Sequence, residues 1–154
     1  MAFAAEYDIG YWLDAELAAA AAPSAALFEK IVAKTSRRLP ALRQQGGARQ
    51  LSSLIAAGAW TEAALALVAI ELPSWQLRRL VYDDGEWLCA LSHMPNLPLS
   101  LDDTADGAHP SMPLSVLRAF VQARGMIAAT PPALRSVPHI APAPDMLVCC
   151  DNFS

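Results

Sequence analysis

The chain has 154 residues, a net charge of -4, and an apolar fraction of 55% against 17% charged. That composition excludes a globally disordered chain, and the length suits one compact domain that needs no metal or disulfide to fold. The acidic balance disfavours a wholesale nucleic-acid binder.

The elements follow in chain order. Tyr7, Tyr11 and Trp12 lie among Glu6, Asp8, Asp14 and Glu16. Those acids, with no Lys or Arg before Lys30, argue against a signal peptide. Alanine-rich Asp14 to Ala22 reads as a short helix ended by Pro23. Ser24 is a good N-cap for a second helix over 25–38, with Leu27, Phe28, Ile31 and Val32 at helical spacing. Pro40 and Gly46-Gly47 bracket a further turn or a loop. A third helix is expected over 49–57 with Gly58 as its stop. A fourth, over 62–72, has Thr61 as N-cap, and its run Ala63 to Ile70 has no polar residue. Such a helix is expected at the centre of the core, with Pro73 just beyond it.

Trp75 to Tyr82 and Glu86 to Ser92 then read as two strands joined at Asp84-Gly85, a pair suited to a tight hairpin turn. This register puts Tyr82 opposite Trp87, Leu80 opposite Cys89 and Arg78 opposite Leu91. The other face carries Val81 with Leu88 and Arg79 with Ala90. A hairpin alone is marginal in water, so it must pack, and the 62–72 helix is the expected support. Residues 93–112 show no period, and so long a loop tends to be functional or disordered. Ser111 and Pro113 open a helix over 113–124 that Gly125 closes. Five prolines between Pro131 and Pro144 favour an extended course, and Met146 to Cys150 can form a short strand. The division is a single α+β domain over 1–125 and a proline-rich arm over 126–154 that docks on its own or a partner domain. The fold class is α+β, mostly helical, with four to five helices, one antiparallel β-hairpin and room for that C-terminal strand.

Three groups of residues carry candidate chemistry. His93, Asp102, Asp103, Asp106 and His109 combine imidazole and carboxylate, which can ligate a metal or act as acid and base. Their spacing fits no HExxH or EF-hand pattern, and loop Asp residues commonly just form turns. Cys149-Cys150 can bind soft metals, but a strand packing one thiol on each side is the simpler account, and an odd cysteine count argues against a disulfide framework. Lys30, Lys34, Arg37, Arg38, Arg43 and Arg49 form a basic run with no acid and no interleaved aromatic. Phosphate loops, GxGxxG and GxSxG are absent from the sequence. No stretch approaches the ~20 apolar residues of a membrane span, so a cytoplasmic location is the default. Abundant alanine and arginine suggest a GC-rich bacterial genome.

The sequence therefore points first to a non-catalytic protein-interaction or regulatory module acting as a homodimer. Arg78, Tyr82 and Trp87 on the hairpin, with Arg37 and Arg38, are the expected contact residues, and Arg78 is placed to stack on an aromatic ring. No cofactor is predicted. The alternative is a small metal-dependent or acid-base enzyme using the loop 93–109. The third reading is a weak nucleic-acid binder through 30–49.

Overall fold

The computed structural model describes residues 2–36 and 46–130, with side chains from Asp8 onward. Among them are helices α1 (Ala2–Ala19), α2 (Ala25–Thr35), α3 (Gly47–Ala56), α4 (Trp60–Glu71) and α5 (Met112–Ala129). The strands are β1 (Gln76–Asp83), β2 (Glu86–Ser92) and β3 (Ala105–His109), forming one antiparallel sheet in the order β1-β2-β3. The fold is α+β and mostly helical. No helix among the described residues is long and apolar enough to cross a membrane.

Local signals set several boundaries. The Ser24 side chain accepts from the Leu27 amide and starts α2. Gly58 takes a φ of 71° after α3, and the Ala59 amide reaches back to the Leu54 carbonyl, closing the helix in a Schellman-type turn. Asp84 and Gly85 have φ of 47° and 87°, the two positive values that a type I′ hairpin turn requires.

Other boundaries differ from expectation, each for a physical reason. Helix α1 begins well before Asp14, because its alanines sustain helix through the acidic stretch. Helix α2 stops at Thr35, where Ser36 turns extended; Arg37 and Arg38 lie outside the described residues. Thr61 is inside α4 rather than its cap. The helix starts at Trp60, whose ring stacks on Phe28 with centroids 5.7 Å apart. Gly125 does not close α5. Four helix-compatible residues follow it, and the helix ends at Thr130, the residue before Pro131, where a following proline disfavours α geometry. The proposed strand at 146–150, Cys149, Cys150 and the docking of the arm lie outside the described residues.

The centre of the core is also not where the apolar run suggests. Helix α5 contacts α1, α4, β2 and β3, and it is buried almost all round from Pro113 to Phe120. Helix α4 packs on its far side, so the hairpin rests on α5 rather than on α4. Phe28, Phe120, Leu13, Leu17, Ile31 and Leu114 are fully buried between these layers. Lys30 hydrogen-bonds Glu16 and lies over the Trp12 ring at 5.4 Å, tying α2 to α1.

Residues 93–112 hold more structure than their pattern implies. A 3-10 turn at Leu99–Leu101 precedes β3, whose sequence Ala-Asp-Gly-Ala-His has no β-branched residue. Small size is what the position requires, because α5 crosses this strand closely. In the hairpin, every expected pair holds except one. Leu77 rather than Arg78 faces Leu91, because a bulge at Arg78 shifts the register.

Candidate functional site

The bulge sends Arg78 away from the aromatic pair and toward the 93–104 segment. Its guanidinium hydrogen-bonds Asp102 Oδ2 and donates to the Leu97 carbonyl at 2.8 Å. The Asp102 side chain is 0% exposed. Arg78 therefore pins the segment to β1 and stacks on no ring among the described residues. Tyr82 and Trp87 do face each other, with centroids 5.3 Å apart, and Tyr82 is 60% exposed.

The histidine and carboxylate group does not assemble. Among the described residues, no three His, Cys, Asp or Glu side chains are placed to hold a metal ion. His93 is exposed after β2 and packs on Trp75, with centroids 5.0 Å apart. Asp102 is committed to Arg78, and Asp103 points to solvent. Asp106 and His109 share β3 but sit three residues apart, about 10 Å along a strand. Both nitrogens of buried His109 are used: Nδ1 accepts from the Ser111 amide at 2.8 Å, which leaves Nε2 to donate to the Ala20 carbonyl at 3.0 Å. This is a structural histidine joining α1 to the start of α5. Burial, with the Asp106 charge as the lesser cause, pushes the Cys89 thiol up to about 12, so it is no nucleophile at neutral pH. Of the basic run, Lys34 and Arg49 are exposed on α2 and α3. Lys30 is bound to Glu16, and Arg37, Arg38 and Arg43 lie outside the described residues.

A cleft of about 440 Å³ runs between α1, α5 and β3, lined by Gly10, Tyr11, Asp14, Asp106, Val121 and Gly125 among others. Its polar groups mostly serve one another, through Asp14 with Arg118 and Asp106 with Gln122. A Cβ added at Gly125 would meet nothing within 4 Å. Gly125→Ala should therefore stabilise the fold by about 0.5–1 kcal/mol, the helix-interior cost of glycine, read as a raised urea midpoint with unchanged slope.

The two free edges of the sheet are treated differently. On β3, the Asp106 amide donates to Gln122 Oε1 at 2.9 Å, and the Ala108 carbonyl accepts from Arg118 at 2.6 Å. Arg118 is held by Asp14 through two bonds of 2.8 and 3.0 Å, and those bonds keep it firmly protonated. Side chains of α5 thus cap the β3 edge. On β1, no described residue bonds the outward main chain of Leu80 or Tyr82. Beyond Tyr11 and Trp12 on α1, every exposed large apolar side chain among the described residues belongs to β1 or to the segment that Arg78 ties to it: Leu77, Val81, Tyr82, Met94, Leu97, Leu99 and Leu101. Leu99 and Leu101 are 64% and 69% exposed.

No family model, curated protein or solved structure matches this chain. The functional reading rests on the surface itself. Sequence analysis placed Tyr82 and Trp87 at that surface, but it missed Leu97, Leu99 and Leu101. The alternation of Leu97, Leu99 and Leu101 with Pro98 and Ser100 is the available signal.

Proposed function

We propose that the protein is a non-catalytic interaction module that works as a homo-oligomer, with the β1 edge as its contact surface. The observation that supports this is the contrast between the two edges. A free strand edge is a template for pairing with another chain, and proteins usually block it. Here β3 is blocked by Arg118 and Gln122, while no described residue bonds the outward main chain of β1, which lies beside exposed leucines. Exposed apolar side chains gathered in one region commonly mark interfaces.

The edge available on β1 is short, so the association should be weak and concentration-dependent, below the ~1,200–2,000 Å² class of stable complexes. Native mass spectrometry and sedimentation velocity over a concentration series test it. The wild type should pass from monomer to dimer as concentration rises. Val81→Lys, a charge on the 40%-exposed centre of the edge, should stay monomeric while its unfolding free energy changes by no more than about 0.5 kcal/mol. A wild type that is monomeric at every concentration removes the reading.

A further inference from the structure

We infer that the occupant of the β1 edge is the same strand of a second copy, paired antiparallel about a two-fold axis through Val81. This rests on the homo-oligomer reading and adds the register. In a hairpin with a two-residue turn, the residues flanking the turn form a hydrogen-bonded pair, and such pairs then alternate along the strands. Asp83 with Glu86, Val81 with Leu88 and Arg79 with Ala90 therefore point their main chains inward. Leu80 and Tyr82 point theirs outward. The same alternation, carried through β2, makes Asp106 and Ala108 the outward residues of β3. Those are the two residues whose main chain Gln122 and Arg118 engage, which confirms the parity independently.

Two β1 edges can pair their outward groups in several registers, each displaced by one residue along both strands. Centred on Leu80, the pairing sets Arg79 against Val81 and Asp83 against Leu77. Centred on Tyr82, it sets Val81 against Asp83. Centred on Val81, it brings Leu80 opposite Tyr82 twice, satisfying those main-chain groups, and brings Arg79 opposite Asp83 twice. Both Arg79 and Asp83 are exposed, and neither has an ion-pair partner among the described residues. Only the Val81-centred register of these three joins opposite charges, and directly opposed charges favour pairing in a sheet. The product is a continuous six-stranded sheet with the helices of both copies on one side, in which each Leu80 covers the other copy's exposed Tyr82.

The test uses the full chain carrying Val81→Cys, oxidised with copper phenanthroline, with the linked peptides mapped. A non-hydrogen-bonded pair places its Cα atoms about 4.5 Å apart, within disulfide reach, so an interchain 81–81 bond is expected. In parallel, Arg79→Asp should weaken the wild-type dimer roughly tenfold, and Arg79→Asp with Asp83→Arg should recover it. A wild-type dimer with no 81–81 bond and no charge sensitivity overturns the register while leaving the homo-oligomer reading in place. An intrachain bond from position 81 to Cys149 or Cys150 overturns the inference by assigning the edge to the chain's own C-terminal segment. A wild type that never dimerises removes both.

Discussion

Gly107→Ala is expected to be among the most damaging single-methyl substitutions in this chain. A Cβ at that position would lie 2.2 Å from the Ser115 carbonyl oxygen and 2.5 Å from the Ala119 amide nitrogen. Both are main-chain atoms of α5, so no side-chain rotation relieves the overlap. The strand or the helix must move as a body, and α5 is packed against α1 and α4 behind it. Overpacking of a core typically costs about 1–3 kcal/mol, and an overlap with fixed backbone belongs at or above the top of that range. Against a total stability of roughly 5–15 kcal/mol, a large share of the molecule's margin is lost. Urea titration followed by tryptophan fluorescence measures this. The midpoint should fall steeply for Gly107→Ala, whereas Gly125→Ala, the same chemical change on open space, moves it slightly upward. Equal behaviour of the two variants would mean that β3 does not lie on α5 as described.

Arg78→Ala is the second large effect, and it acts by a different route. The variant removes the cation paired with Asp102, a carboxylate whose side chain is 0% exposed and whose Oδ1 already has no hydrogen-bond partner among the described residues. Removing one member of a buried pair leaves the other charge stranded, which costs about 3–5 kcal/mol. Replacing both members with apolar residues avoids that cost, so Arg78→Met with Asp102→Leu should return close to wild-type stability or exceed it. Thermal unfolding of the single and double variants decides the matter. Limited proteolysis adds a local readout. In Arg78→Ala the Leu97 carbonyl also loses its donor, so cleavage within 93–104 should precede cleavage elsewhere. If the single variant melts like wild type, the Arg78 bridge does not hold the segment.

These two sites also explain what the sequence disclosed and what it hid. The hairpin was legible because its information is local. Asp84-Gly85 sets the turn, and the alternation around it sets the pairs Tyr82–Trp87 and Leu80–Cys89. The Ser24 cap and the Gly58 stop were legible for the same reason. The bulge at Arg78 was not, since its partner Asp102 lies 24 residues away and nothing near Arg78 announces it. Strand β3 was hidden by its composition. Strand propensity reflects side chains that fill a pleated surface, and Gly107 is there to leave room for a helix backbone. The candidate site divides in the same way. The aromatic pair could be read directly. The protection of β3 could not, because Gln122 and Arg118 act across 16 and 10 residues from a separate helix. The His/Asp group does not converge, because Asp106 and His109 are spread along β3, where residues advance by about 3.3 Å each, and Asp102 turns to Arg78.

The seating of α1 has a consequence for synthesis on the ribosome. Its Asp14 waits for Arg118, 104 residues downstream, and Ala20 waits for His109, 89 residues downstream. At translation speeds of about 5–20 residues per second, the first helix spends on the order of ten seconds without the surface it docks on. Throughout that interval Leu13 and Leu17, fully buried at the end, lack the α5 surface that covers them. Protection of this helix during synthesis therefore matters to the fold, and translational pausing before Arg118 should lower the yield of folded protein more than pausing after it.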